Sequence, residues 1–205
     1  AGNDRQLQGN VAIGSFALDA TAANAQTGTI AIGYQSLTAL TTGDGNLAVG
    51  YKALSQHTTG VRNIAIGYGA MDGTAGDAND APDSDDNIFI GYDAGGGNWE
   101  DDEDSNWNVG IGNYVMDAAM DGAEYNTAVG DSALSILTTG NYNTVMGRGA
   151  GDVITTGIKN TCIGYGTDPN GAGTDNQTVI GYGAVGVADN SVTLGNGNVT
   201  RVNMS

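Results

Sequence analysis

The sequence predicts an all-β fold: a parallel β-roll or β-solenoid of about eleven coils, each about 17 residues long. Three observations predict it. The first is a glycine that follows a large aliphatic residue eleven times, at Gly14, Gly33, Gly50, Gly67, Gly91, Gly112, Gly130, Gly147, Gly164, Gly181 and Gly195. The gaps are 19, 17, 17, 24, 21, 18, 17, 17, 17 and 14 residues, too short for a helical-pair repeat and right for one coil of stacked strands and turns. The second is the triplet before each glycine, such as Ile30-Ala31-Ile32 or Leu47-Ala48-Val49, which is short and rich in strand formers. The third is composition. Thirty-five glycines against two prolines exclude collagen, and their register with Ile and Val argues against a low-complexity chain.

Each coil divides into parts with separate physical reasons. Asparagine precedes the triplet in eight of eleven coils, among them Asn46, Asn63, Asn126 and Asn143. Asparagine tolerates a left-handed backbone and bonds to nearby main chain, so it suits the turn that launches a strand. Stacking predicts a ladder of these amides, each satisfying the next. In the triplet, the first and third residues share one face and the mostly alanine middle residue takes the other. Both faces are apolar, which is how a strand reads when it is covered on both sides. The expectation is that the aliphatic face points into the coil and the alanine face meets another copy of the chain, in an oligomer. After the glycine comes a tyrosine in six coils, at Tyr34, Tyr51, Tyr68, Tyr92, Tyr165 and Tyr182. This stripe is expected to cover a coil flank or a subunit boundary, with a carbohydrate platform as the alternative. Thr-Thr-Gly then closes the coil at 41–43, 58–60, 138–140 and 155–157, where glycine supplies the turn.

The motifs GNVAIG (9–14), GNLAVG (45–50), RNIAIG (62–67) and YNTAVG (125–130) resemble the head repeats of trimeric autotransporter adhesins. The unit GNLAVGYKALSQHTTG (45–60) is also similar to repeats of marine phage tail fibres and of large bacterial surface proteins. The resemblance runs over roughly residues 9–199. It implies a left-handed parallel β-roll with two short strands per coil, assembled as a parallel homotrimer. The adhesin unit is shorter than most coils here, so longer outward turns are expected. Three segments follow: a lead-in at 1–8, the repeat domain at 9–189, and a last short coil with an exit or cap at 190–205.

Two consecutive coils are over-long, with insertions at 72–86 and 96–106. Insertions at the same point of adjacent coils emerge side by side, and loops carry function. Twelve of the 23 acidic residues lie between Asp72 and Asp104. Clustered carboxylates suit a hard cation with oxygen ligands. Calcium is therefore a candidate cofactor, with Asp83, Asp85, Asp86, Asp101, Asp102 and Asp104 as its ligands. Trp99 and Trp107, the two tryptophans, are candidates for binding a ligand such as a glycan.

A net charge of −17 repels nucleic acid and anionic lipid. No apolar run is long enough to span a membrane, and AGNDRQLQGN at the start does not read as a signal peptide. Neither partner class is expected, nor is an enzyme. The sole histidine, His57, has no nucleophile and acid arranged around it in the sequence, and the sole cysteine, Cys162, reads as filler in the small middle column. Thr127, Thr144, Thr161 and Thr178 suggest an ice-binding ladder, but they share the aliphatic face and are expected to point inward. The reading that follows is a structural and adhesive segment of an extracellular fibre, at a cell surface or on a virion. It would display its acidic lobe to a surface receptor or glycan. A self-assembling filament of end-to-end coils is the alternative.

Overall fold

The computed structural model describes residues 9–20, 26–74, 84–99 and 103–203. The described residues hold no helix and eleven three-residue strands, one per coil. They are β1 (Val11–Ile13), β2 (Ile30–Ile32), β3 (Leu47–Val49), β4 (Ile64–Ile66), β5 (Ile88–Ile90) and β6 (Val109–Ile111). There follow β7 (Thr127–Val129), β8 (Thr144–Met146), β9 (Thr161–Ile163), β10 (Thr178–Ile180) and β11 (Val192–Leu194). All lie in one parallel sheet in chain order, with like positions in register, so that Ala31 stands beside Ala48 and Ala48 beside Ala65. The chain is a β-solenoid with a spacing of about 17 residues, as the glycine recurrence predicts.

The glycine that ends each strand has no substitute. At Gly50 and Gly67 φ is +143° and +146°, and a Cβ at either would fall on the carbonyl oxygen of the next coil's glycine. The coils stack so closely here that only hydrogen fits. The asparagine column is equally regular. Asn143 donates its backbone N–H to Asn126 Oδ1 at 2.9 Å, and its Nδ2 donates to Gly157 O at 2.8 Å. The same pair of bonds recurs at Asn160 and Asn126. These side chains are fully buried, and the ladder satisfies polar groups whose burial would otherwise be costly.

Two expectations are corrected. The resemblance implies a second strand per coil, but the segment after the glycine is a turn. There the backbone enters the left-handed region twice, at Lys52 (φ 56°) and Leu54 (φ 52°), and again at Ser132 (55°) and Leu134 (50°). It still bonds between coils, Lys52 N–H to Tyr34 O at 2.9 Å and Leu54 N–H to Ala70 O at 3.0 Å, but alternating handedness prevents extension.

The second correction concerns the faces of the strands. The middle column points inward: Ala31, Ala48, Ala65, Ala128, Cys162 and Val179 are all 0% exposed. The Ile and Val columns point outward and are half-buried or exposed in every coil. Volume decides this. The turn flank sends Leu37, Leu54, Met71, Met116 and Leu134 into the same narrow interior, with Leu40, Leu137 and Ile154 behind them. Little more than a methyl is left for the strand to fill. Phe89 shows the constraint from the other side. It is the one aromatic in the inward column, and it needs glycine beside it: a Cβ at Gly110 would lie 2.5 Å from its ring, and one at Gly95 2.8 Å.

Candidate interaction surface

The outward side of the sheet is the first candidate. Its two ranks are the first and third residues of each strand, so it presents Leu47, Ile64 and Ile88 beside Val49, Ile66 and Ile90, all half-buried. Later coils expose more, with Ile111 at 40% and Met146 at 54%. Thr127, Thr144, Thr161 and Thr178 stand in the first rank and face outward, against the inward expectation, because the aliphatic face they share is the outer one.

Two columns border this face. On the far side of the strand-ending glycine run Tyr34, Tyr51, Tyr68 and Tyr92, stacked with ring centroids 5.4, 4.7 and 5.3 Å apart and planes within 15°. Tyr165 and Tyr182 continue it, 5.2 Å apart. Within the stack each ring face is covered by the next ring, so edges and hydroxyls face solvent. A sugar that stacks on ring faces finds none open inside the ladder. On the other border, just before the asparagines, Trp107, Tyr125 and Tyr142 stack at 4.8 and 5.1 Å. This column takes the left-handed conformation in all eleven coils, from Gly9 (φ 71°) through Trp107 (56°) to Asn190 (56°). Sequence reasoning missed this column, although Trp107, Tyr125 and Tyr142 recur just before the asparagines.

The acidic region is the second candidate. Where the two insertions rejoin the coils they run side by side: Asp85 N–H donates to Asn106 Oδ1 at 2.5 Å, and Ser105 N–H to Ser84 Oγ at 3.1 Å. Of the expected calcium ligands, Asp83, Asp101 and Asp102 lie outside the described residues. Asp86 receives two bonds from the Arg62 guanidinium, at 2.5 and 2.7 Å, and that partner holds its carboxyl below the usual carboxylate range. Asp85 accepts from Val61 N–H at 2.6 Å. Asp104 is exposed. Among the described residues no three metal-ligating side chains gather around one point.

The two tryptophans part company. Trp107 is 44% exposed, whereas Trp99 is 1% exposed and packs edge-on against Phe89 at 5.9 Å. Trp99 fills the core where β5 carries its large residue, and it presents no ring face to solvent. His57 is also enclosed, with Nδ1 3.2 Å from Thr74 Oγ1 and Nε2 3.2 Å from Asn63 Nδ2. Burial pushes the Cys162 thiol up to about 12, which keeps it protonated and a poor nucleophile. The chain matches no protein-family model and no curated protein.

Proposed function

We propose that the chain is a structural and adhesive segment of an extracellular trimeric fibre, the shaft or head of a bacterial adhesin or of a phage tail fibre. The observation that carries this reading is the outward aliphatic face. Across the strand and its borders it is about 20 Å wide, and eleven coils make it about 50 Å long. That is on the order of 1,000 Å² per chain, above the roughly 800 Å² per partner of a standard stable interface. Its aliphatic strip, the width of the three-residue strands, is about 10 Å across and on the order of 500 Å², as large as the largest exposed apolar patches of monomers, and calls for cover. Three faces about 20 Å wide, set around an axis, each lie about 6 Å from it, close to half the roughly 10 Å spacing of packed sheets. Four would stand about 10 Å from the axis and leave a void. The outward threonine rank falls inside the covered face.

In this reading the rod displays three copies of its acidic region, and weak contacts to a receptor or glycan gain strength by multivalency. Calcium held by the acidic loops belongs to the same proposal. It is expected to raise the melting temperature, and Asp101→Asn with Asp102→Asn to abolish that rise. Superimposed melting curves with calcium and with chelator would remove calcium from the account.

The second reading is a filament of coils stacked end to end; among the described residues β1 and β11 each pair with one strand, and such edges can pair with another copy. Electron microscopy separates the two. Discrete rods about 50 Å long are expected, and open-ended filaments would move the reading to the alternative.

A further inference from the structure

The aromatic residues of the two border columns complement each other coil by coil. In the coils of β2 and β3 the column after the glycine carries Tyr34 and Tyr51, and the column before the asparagine carries Gly28 and Gly45. In the coils of β4 and β5, Tyr68 and Tyr92 stand at the level of Arg62 and Asp86. Then the sides exchange: Trp107, Tyr125 and Tyr142 occupy the second column, and the first carries Asn113, Asp131 and Arg148. In the coils of β9 and β10 they exchange back, with Tyr165 and Tyr182 level with Lys159 and Asn176. From β2 to β10 every level holds one border aromatic, never two and never none. Tyr114 stands one place beyond the first column and packs on Tyr92 within the chain.

The two columns lie about 20 Å apart within a chain, so they cannot compensate for each other there. They meet only if the border of one chain touches the opposite border of a neighbour at the same height. We infer that, in the parallel assembly the resemblance implies, the chains stand in register, the tyrosine border of each sealed against the glycine-to-tryptophan border of the next by one aromatic ring per coil. This rests on the proposed assembly through the outward face and adds its register and its seam.

Charge agrees with the pairing. At the level of β9 a cation faces a tyrosine, Lys159 with Tyr165, the pairing that ring quadrupoles favour; at β4 and β8, Arg62 stands level with Tyr68 and Arg148 with Tyr142, while each also bonds within its own chain, to Asp86 and to Tyr165. At β5 and β7 a carboxylate faces a phenol, Asp86 with Tyr92 and Asp131 with Tyr125, the pairing of acceptor with donor. A slip by one coil sets Arg148 against Lys159 and crowds Tyr92 against Trp107. Turning one chain end for end sets Tyr34 and Tyr51 against Tyr182 and Tyr165, and leaves Asn113 facing its own copy. In-register parallel association avoids all of these conflicts.

Cysteine pairs test the seam in a Cys162→Ala background. Gly45→Cys with Tyr51→Cys places thiols at one level on opposite borders, too far apart within a chain for a disulfide. A Cβ at Gly45 meets only the Arg62 side chain, at 3.6 Å. Oxidation is expected to yield covalent oligomers on a denaturing gel, and Gly45→Cys with Tyr182→Cys, several coils apart, is expected to stay uncrosslinked. Light-scattering mass is read on the same samples. Oligomeric mass without the same-level crosslink, or with equal crosslinking of both pairs, overturns the seam and leaves the assembly standing. Monomeric mass overturns both. A swap supplies the second arm: Gly45→Tyr alone is expected to lose assembly by crowding two rings at one level, and Gly45→Tyr with Tyr51→Ser to regain it. Equal loss in both variants also overturns the seam.

Discussion

At the scale of the residue, the fold rests on positions where size is fixed by a neighbour one coil away. Gly67→Ala would place a methyl on the Gly91 carbonyl at a φ of +146°, and the loss of stability is expected to exceed about 3 kcal/mol. Ala65 and Ile66 make a sharper pair, since they are adjacent and face opposite ways. Ala65 is 0% exposed, so Ala65→Leu overpacks the interior and is expected to cost about 1–3 kcal/mol. Ile66 faces outward, so Ile66→Ala is expected to spare the single chain and to weaken association. Urea denaturation and light scattering, run on both variants, check the two effects. A larger stability loss from Ile66→Ala than from Ala65→Leu, with association unchanged, would restore the opposite assignment of faces. That assignment was not legible in the sequence for a physical reason. A period of two separates the faces of a strand but does not say which is inside when both are apolar. The deciding fact is the volume delivered by Leu37, Leu54 and Leu134 from the other flank. The glycine and asparagine columns were legible because each answers a local backbone demand.

At the scale of the element, each coil is one strand and one hydrogen-bonded turn, and the carboxylates of those turns give the rod a definite response to acid. Burial, with Asp152 adding to it, pushes the Asp168 carboxyl up to about 6. Burial also raises Asp72, Asp93 and Asp117. A carboxyl raised in the folded state binds its proton more tightly there, so its contribution grows as pH falls from above the folded value towards the ordinary one. Asp86 runs the other way: its hydrogen bond with Arg62 lowers it, and its contribution is lost only in stronger acid. The melting temperature is therefore expected to rise from about pH 7 to about pH 5 and to fall below the ordinary carboxylate range. Asp168→Asn is expected to flatten the rise. A wild-type melting temperature that falls between those two values would contradict this balance. The insertions were legible as neighbours from two consecutive long gaps, and Asp85, Asn106, Ser84 and Ser105 join them. The burial of Trp99 was not, because it depends on where a loop of irregular length re-enters the core.

At the scale of the whole molecule, one parallel sheet leaves an aliphatic face that a single layer of coils does not cover. The sequence argued for partner chains from the doubly apolar strand, and the structure exchanges the faces on which that argument stands. The alanine column is internal, and the Ile and Val ranks face outward, where the proposed partner would cover them. In the proposed assembly, the alternation of the border rings would set the chains at equal height. The most direct test is the mass of the native chain in solution by light scattering. The account predicts about three times 20.6 kDa, retained on dilution through the micromolar range. A mass of 20.6 kDa, with the aliphatic face open to solvent, would contradict it.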